Sequence, residues 1–251
     1  MSKIIYRILL SAAAIVLAIF CIMSVVTPIR FEETRANRET QVVKHLIALR
    51  TAEAEFHHVN GRFTADLDSL LLFLRNTPKK EVMKEGALTD KQLEGGLTEH
   101  KAVKILDQAK AKAKRGKQQF ANDEELYSFV WANDKEVIKN GLQGFRRDTI
   151  YKNMIETLYK GEYNADNIAV IVEVPFSNGQ RFEVEVNNGY TTSQGIRVPL
   201  MEARAPYTMY LADLNEQELV NLIDKETKLE HYPGLKIGDI YAPNNNAGNW
   251  E

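Results

Sequence analysis

The sequence has very little cysteine: Cys21 is the only one among 251 residues. One cysteine cannot form an intramolecular disulfide, so a packed core must stabilise the chain, and its length allows one. Common catalytic motifs are missing too, namely Gly-x-Ser-x-Gly, His-Glu-x-x-His and a glycine-rich phosphate loop. These absences count against a hydrolase. They predict a protein that is not an enzyme and that has no catalytic residues and no cofactor.

An excess of positive charge is also missing. With Lys3 and Arg7 set aside, the chain has 30 basic and 34 acidic residues, which gives no general positive field for a phosphate backbone. Residues 97–117 are locally basic, but no aromatic side chain lies between their lysines. We therefore predict no nucleic-acid partner. This segment could be a patch for an acidic partner or lipid headgroups, or simply a solvated helix face or an extended linker.

The most informative absence is that of charge from residues 8–26 (ILLSAAAIVLAIFCIMSVV). About 20 apolar residues in one helix cross the hydrocarbon core of a bilayer, so this run predicts a single membrane span. A cleaved signal peptide is the alternative, with Lys3 and Arg7 as its positive start. The run is longer than the usual apolar region of a signal peptide, and no small-x-small cleavage site follows it. Phe20 before Cys21 does not fit a lipoprotein site.

Charges flank the span on both sides and do not decide its orientation. The short N-terminal tail and its positive charges favour an uncleaved signal anchor with the N-terminus in the cytoplasm. The sequence thus predicts an inner-membrane protein with most of its chain in the periplasm.

An amphipathic pattern follows the span. Apolar residues recur at helical spacing through residues 36–58, Pro28 is expected to bend the junction with the span, and Gly61 is a typical helix stop. A short second helix is predicted from about Thr64, which could cap it, with Asp66 in its first turn. Its leucines form one apolar face.

This region resembles the start of type IV pilins and type II secretion pseudopilins. The resemblance covers about residues 8–74 and is carried by residues 50–56 (RTAEAEF), 60–64 (NGRFT) and 67–70 (LDSL). It implies a long helix that leaves the membrane and packs against a small antiparallel sheet. The family's peptidase site, Gly followed by Phe-Thr-Leu-Ile-Glu, does not occur, and residues 8–26 hold no acidic residue. Residues 232–238 (YPGLKIG) and 244–251 (NNNAGNWE) also resemble a group of uncharacterised Bacteroidetes envelope proteins.

The C-terminal half has the texture of strands and turns. Residues 168–174 predict a strand, Asn178-Gly179 a hairpin turn, and residues 182–186 the strand that pairs back. Residues 198–205 and 207–211 provide further strand material. Asn215 is expected to cap a helix over residues 216–230. Residues 149–151 fit a strand or a helix equally well.

Candidate ligand sites are few. Glu53 and His57 share a helix face and His58 adjoins them, but His45, His100 and His231 are isolated, so an exposed polar helix end is favoured over a metal site. The C-terminal loop holds hard oxygen donors of the kind that bind Ca²⁺, and calcium and an ordinary loop both stay open here. These donors are Asp239, Asn244, Asn245, Asn246 and Glu251. Trp250 either packs against the core or faces a partner, and packing is favoured.

Together these features predict an α+β fold in which a long N-terminal helix packs on a small antiparallel sheet and carries a helical insertion. The predicted segments are a membrane anchor (1–29), an amphipathic and a short helix (30–78), a polar helical insertion (79–144) and an antiparallel α+β domain (145–251). The favoured function is a structural or interaction subunit of an envelope assembly, with other envelope proteins or further copies of the chain as partners. The alternative is a membrane-tethered module that binds a small ligand, glycan or ion.

Overall fold

The computed structural model of the chain describes residues 2–116 and 119–251, and for residues 2–5 it describes the backbone. Lys117, the last lysine of the predicted basic segment, lies outside the described residues. The described helices are α1 (Ser2–Asn60), α2 (Leu67–Asn76), α3 (Asp90–Glu94), α4 (Glu99–Arg115), α5 (Asp123–Asn133), α6 (Lys135–Lys139), α7 (Met154–Tyr159), α8 (Tyr207–Tyr210) and α9 (Glu216–Lys228), with a 3-10 helix at Ile168–Val172. The described strands are β1 (Lys79–Glu85), β2 (Arg146–Lys152), β3 (Glu183–Asn187), β4 (Leu200–Pro206) and β5 (Gly234–Gly238). The predicted α+β class is confirmed.

The chain divides into two compact units. The first combines Met1–Thr77 with Asn153–Glu251, and the second is Pro78–Lys152. The second unit extends past the predicted end of the insertion at residue 144, because β2 pairs along its whole length with β1, from Lys79 opposite Lys152 to Glu85 opposite Arg146. The sequence predicts that residues 79–85 belong to a polar helical insertion. That prediction is wrong, because these residues form strand β1.

Helix α1 forms the spine of the first unit and runs unbroken through Pro28. Its distal half buries one stripe, and the side chains of Val42, Leu46 and Leu49 have no exposed surface. This stripe packs against the 3-10 helix and β5. The amphipathic pattern of residues 36–58 thus predicts the buried face correctly, because residues three and four apart lie on one side of a helix.

The sheet of the first unit has the order β3-β4-β5 and is antiparallel throughout. In register, Glu183 lies opposite Arg204, and Pro206 lies opposite Gly234. The predicted strand at residues 182–186 and the predicted strand before Pro206 are confirmed, whereas β5 was not predicted. β5 begins at Gly234 and ends at Gly238. Both positions require glycine, because a Cβ atom would lie 2.3 Å from the Ala205 carbonyl oxygen at Gly234 and 2.0 Å from the Met201 carbonyl oxygen at Gly238.

The predicted strand at residues 168–174 is wrong, because Ile168–Val172 is a 3-10 helix. Ile168 and Ile171, three residues apart, are fully buried, while Val170 is 41% exposed. That spacing matches three residues per turn and not the alternation of a strand. The predicted turn at Asn178-Gly179 does form, with positive φ at both residues, and it is closed by a single bridge between Glu173 and Arg181.

Two other local predictions need correction. Residues 207–211 are not strand material, since Tyr207–Tyr210 forms a helical turn that begins directly after Pro206. Helix α2 is capped by Asp66, whose side chain accepts from the Asp68 N–H, and not by Thr64. The cap of α9 is as predicted, because the Asn215 side chain accepts a hydrogen bond from the Glu218 N–H.

The second unit has its own small core. The basic segment forms α4, which buries Ala102, Leu106 and Ala109 and packs against α5 and α6. An extended linker is therefore the wrong interpretation of this segment. The positive charge of Lys110 is balanced by Asp107, since its ammonium lies 3.0 Å from a carboxylate oxygen of that residue. The same ammonium donates a hydrogen bond to the Tyr127 hydroxyl at 2.9 Å.

Candidate functional site

The exposure of the side chains of α1 changes abruptly at Phe31. The side chains of residues 6–25 are exposed on every face of the helix, for example Leu10 at 73% and Phe20 at 65%. Phe31, by contrast, is only 7% exposed. Among the described residues, α1 is the one helix that is long enough and apolar enough to cross a membrane. The uncharged run of 19 residues spans about 28 Å at 1.5 Å per residue, close to the thickness of the hydrocarbon core. This helix fits a single-span membrane anchor.

Three ion pairs tie the distal half of α1 to the C-terminal half of the chain. Arg38 forms a forked pair with Asp213, with Nη2 2.7 Å from Oδ2, and it also donates to the Tyr210 carbonyl oxygen at 2.7 Å. This guanidinium lowers the pKa of the Asp213 carboxyl. Lys44 pairs with Glu162 at 2.5 Å, and Arg50 pairs with Glu251 at 2.7 Å. Exposed ion pairs add little stability, so the domain is held on the helix mainly by the buried stripe of α1.

A cleft with a volume of about 770 Å³ lies where α1, α8, the end of α9 and β5 meet. Its lining includes the rings of Tyr207, Tyr232 and Trp250 together with the carboxylates of Glu39 and Glu226. Burial raises the pKa of both tyrosines to about 12, so both are neutral donors. Burial also raises the pKa of Glu39, against the opposing effect of Arg35.

The cleft combines flat apolar rings with carboxylate acceptors. Such a surface suits a ligand that offers both apolar faces and hydroxyl or ammonium donors. His231 lies at the rim, with Nδ1 3.0 Å from a carboxylate oxygen of Glu226. Trp250 is half-buried and packs against the core of the first unit while one side lines the cleft. Packing of Trp250 was the favoured expectation, and its second role as a cleft wall was not foreseen.

The oxygen donors considered for calcium serve the C-terminal loop itself. The Asp239 carboxylate accepts two backbone N–H groups at 2.7 and 3.2 Å, and the Asn244 side chain accepts one from Asn246 at 3.0 Å. Glu251 is paired with Arg50, which also donates to the carbonyl oxygen of Asn246. Asn245 is exposed and has a positive φ of 56°. The donors thus close turns or bind Arg50 and do not converge on one centre.

The sequence-based view of Glu53 as part of an exposed polar helix end is wrong. Glu53 is fully buried, with one carboxylate oxygen 3.2 Å from the Thr64 N–H and the other without a partner. Burial raises its pKa to about 7, although the Thr64 hydrogen bond acts in the opposite direction. The signal was present in the spacing, because Glu53 is four residues after Leu49 and three before Phe56, both of which are buried.

The histidines named with Glu53 do not gather around a metal. The His57 ring stacks on Phe63 with 4.7 Å between ring centres, and His58 is exposed. His45 is bonded through Nδ1 to the Glu173 carbonyl oxygen at 2.9 Å, and His100 is exposed on α4. In the part of the chain that the structure describes, no three His, Cys, Asp or Glu side chains come together as metal ligands would.

Comparison of the chain with protein-family models, with curated proteins and with solved structures finds no match. The features that bear on function are the candidate membrane span, the helix that continues it and the cleft beside that helix.

Proposed function

We propose that this chain is a non-enzymatic, pilin-like subunit of an envelope assembly, held in the inner membrane by one span with its domain in the periplasm. One observation carries the proposal. A single helix of 59 residues carries the uncharged run that fits a membrane span and, in its distal half, forms the spine of the folded unit. A domain built around its own anchor cannot swing freely on a linker. It presents one fixed surface to neighbouring envelope proteins or to further copies of the chain.

The resemblance of residues 50–56 and 60–64 to pilins and pseudopilins supports the same function, because in those families a helix of this kind carries the domain. The proposal includes no catalytic step, since the sequence offers no nucleophile motif. It includes no nucleic-acid partner, because the chain beyond the span is slightly acidic.

Affinity purification from detergent-solubilised membranes tests the interaction function. The expected result is co-purification of specific envelope proteins, or of a second tagged copy, in fixed proportion to the full chain. The matched control is Leu46→Asp, which keeps the anchor and disrupts the folded unit. Recovery of the chain alone, or of the same proteins with the control, would overturn the proposal.

Orientation is tested separately with a single cysteine. In a Cys21→Ser background, Val59→Cys places a thiol at an exposed position at the distal end of α1. A membrane-impermeant maleimide should label it in intact spheroplasts. Labelling only after lysis would place the domain in the cytoplasm.

We expect the chain not to be assembled into extracellular filaments. In pilins an acidic group within the apolar helix is relieved by pairing in the filament, and a lone charge at the bilayer centre costs about 3 kcal/mol. Residues 8–26 have no such group. Electron microscopy of sheared cell surfaces, with antibody against residues 151–251, should therefore show no labelled filaments. Labelled filaments would show that assembly does not need an acidic group within the apolar helix.

A ligand-binding module is the second candidate, and the cleft of about 770 Å³ favours it. Trp250 lines the cleft, and the other tryptophan, Trp131, belongs to the second unit. In a Trp131→Phe background the fluorescence of Trp250 should change in a saturable way on titration with short amino-sugar oligomers. No change with these oligomers, under conditions in which the protein stays folded, would leave the interaction function as the better account.

A further inference from the structure

An open groove of about 420 Å³ lies beside α1 just past the end of the uncharged run. Pro28 and Ile29 of α1 form part of its apolar lining, and Leu222 of α9 closes it from the other side. Leu222 is only 6% exposed and belongs to the core of the first unit together with Phe31. Helix α9 is therefore fixed at this level of α1.

The level of the groove relative to a bilayer follows from the helix rise. With residues 8–26 in the hydrocarbon core, Pro28 lies about 3 Å and Ile29 about 5 Å beyond its edge. The headgroup layer of each leaflet is about 5 to 8 Å thick. The membrane-proximal end of the groove therefore opens within the headgroup layer, on whichever side of the membrane the domain stands.

The charges that line the groove are of both signs. Arg35 is occupied by carboxylates on its own helix, at 3.0 Å from Glu32 and 3.2 Å from Glu39. Glu218 and Lys225 of α9 also line the groove, and within the described residues neither belongs to an ion pair. Being seven residues apart, they lie on one face of the helix, two turns from each other. The groove thus offers one free carboxylate and one free ammonium group next to an apolar wall.

We propose that this groove binds the headgroup of a zwitterionic phospholipid of the surrounding leaflet, of the phosphatidylethanolamine class. Lys225 takes the lipid phosphate, Glu218 takes the lipid ammonium, and Pro28, Ile29 and Leu222 contact the glycerol and the start of the acyl chains. The domain then stands directly on the bilayer, with α9 as a second membrane contact beside the span. This inference depends on the anchor and not on the identity of any envelope partner.

The depth of α9 is tested with fluorescent labels on the full chain in lipid nanodiscs. In a Cys21→Ser background the label is attached at Asn221→Cys, which lines the groove, or at Val59→Cys on α1. Val59 is a matched control because it is exposed on the same unit, about 50 Å beyond the hydrocarbon edge. Lipids with a quencher on the headgroup should quench the Asn221→Cys label and spare the Val59→Cys label. Equal quenching at both positions would overturn the proposal.

The lipid itself is tested by native mass spectrometry of the full chain with phosphatidylethanolamine or phosphatidylglycerol added to the detergent. We expect the wild type to retain one phosphatidylethanolamine, and Lys225→Glu to retain it about tenfold more weakly, as expected for the loss of a charge-assisted hydrogen bond. Lys228→Glu is the matched control, because Lys228 is on the same helix and pairs with Asp224 instead of lining the groove. Equal retention by Lys225→Glu and the wild type, or stronger retention of phosphatidylglycerol by the wild type, would overturn the assignment.

Discussion

Leu46→Asp should lower the free energy of unfolding of the first unit by roughly 4 kcal/mol, because a charge without a partner would replace a core leucine. Leu46 has no exposed surface and lies in the middle of the buried stripe of α1. The measurement is the loss of near-ultraviolet circular dichroism of the full chain in detergent micelles on heating or with denaturant.

The matched control is the neighbouring residue. Ile47 is 40% exposed, so the aspartate in Ile47→Asp remains in contact with water and should change stability by well under 1 kcal/mol. If Leu46→Asp and Ile47→Asp both unfolded at the same temperature as the wild type, α1 could not be the spine of the folded unit.

The second large effect is expected at Glu53, and it depends on pH. The buried carboxyl has its pKa raised from an ordinary value of 4.5 to about 7, so the folded state holds this proton more tightly than the unfolded state. Its contribution to stability is therefore fully present below the unfolded pKa and is lost as the pH rises through the folded pKa. The pKa change corresponds to roughly 3 kcal/mol, lost between about pH 4.5 and pH 7.5.

Glu53→Gln should remove that loss, because an amide stays neutral and can still accept from the Thr64 N–H. The difference in unfolding free energy between wild type and Glu53→Gln should thus grow with pH in favour of the variant. Glu33→Gln, which changes an exposed carboxyl on the same helix, is the control and should follow the wild type. A difference that is constant from pH 5 to pH 8 would show that Glu53 is already ionised in the folded state at pH 5, and that burial does not raise its pKa.

These two sites also show how far the sequence alone could predict this structure. Helical spacing in residues 36–58 identified the buried face that includes Leu46, because that signal is local. Glu53 sits at the same spacing, but its carboxyl group made it look like part of an exposed helix end. What decides its environment is the chain from Phe63 to Thr64, which folds back over it.

Contacts between distant parts of the chain account for the other differences between the predicted and the observed structure. The composition of Ile168–Val172 is that of a strand, yet these side chains face α1 and adopt a 3-10 helix. β5 is short and has glycine at both ends, so its own sequence does not predict a strand. Its extended conformation depends on pairing with β4. The cleft could not be predicted either, since Glu39, Tyr207 and Trp250 come from three distant parts of the chain.

The proposed role as an envelope subunit depends on the anchor being permanent. A domain that shares one helix with its membrane span holds its cleft and its lipid-facing groove at set distances from the bilayer. Removal of the span would free the domain from the bilayer, while Phe31 would stay buried in the core of the first unit.

The most direct test of this account is the intact mass of the protein extracted from washed membranes. If α1 is both anchor and spine, the chain should resist extraction by alkaline carbonate, and its mass should include residues 1–26. A soluble chain that begins near Thr27 would contradict the account, because the apolar run would then be a cleaved signal peptide and not a membrane anchor.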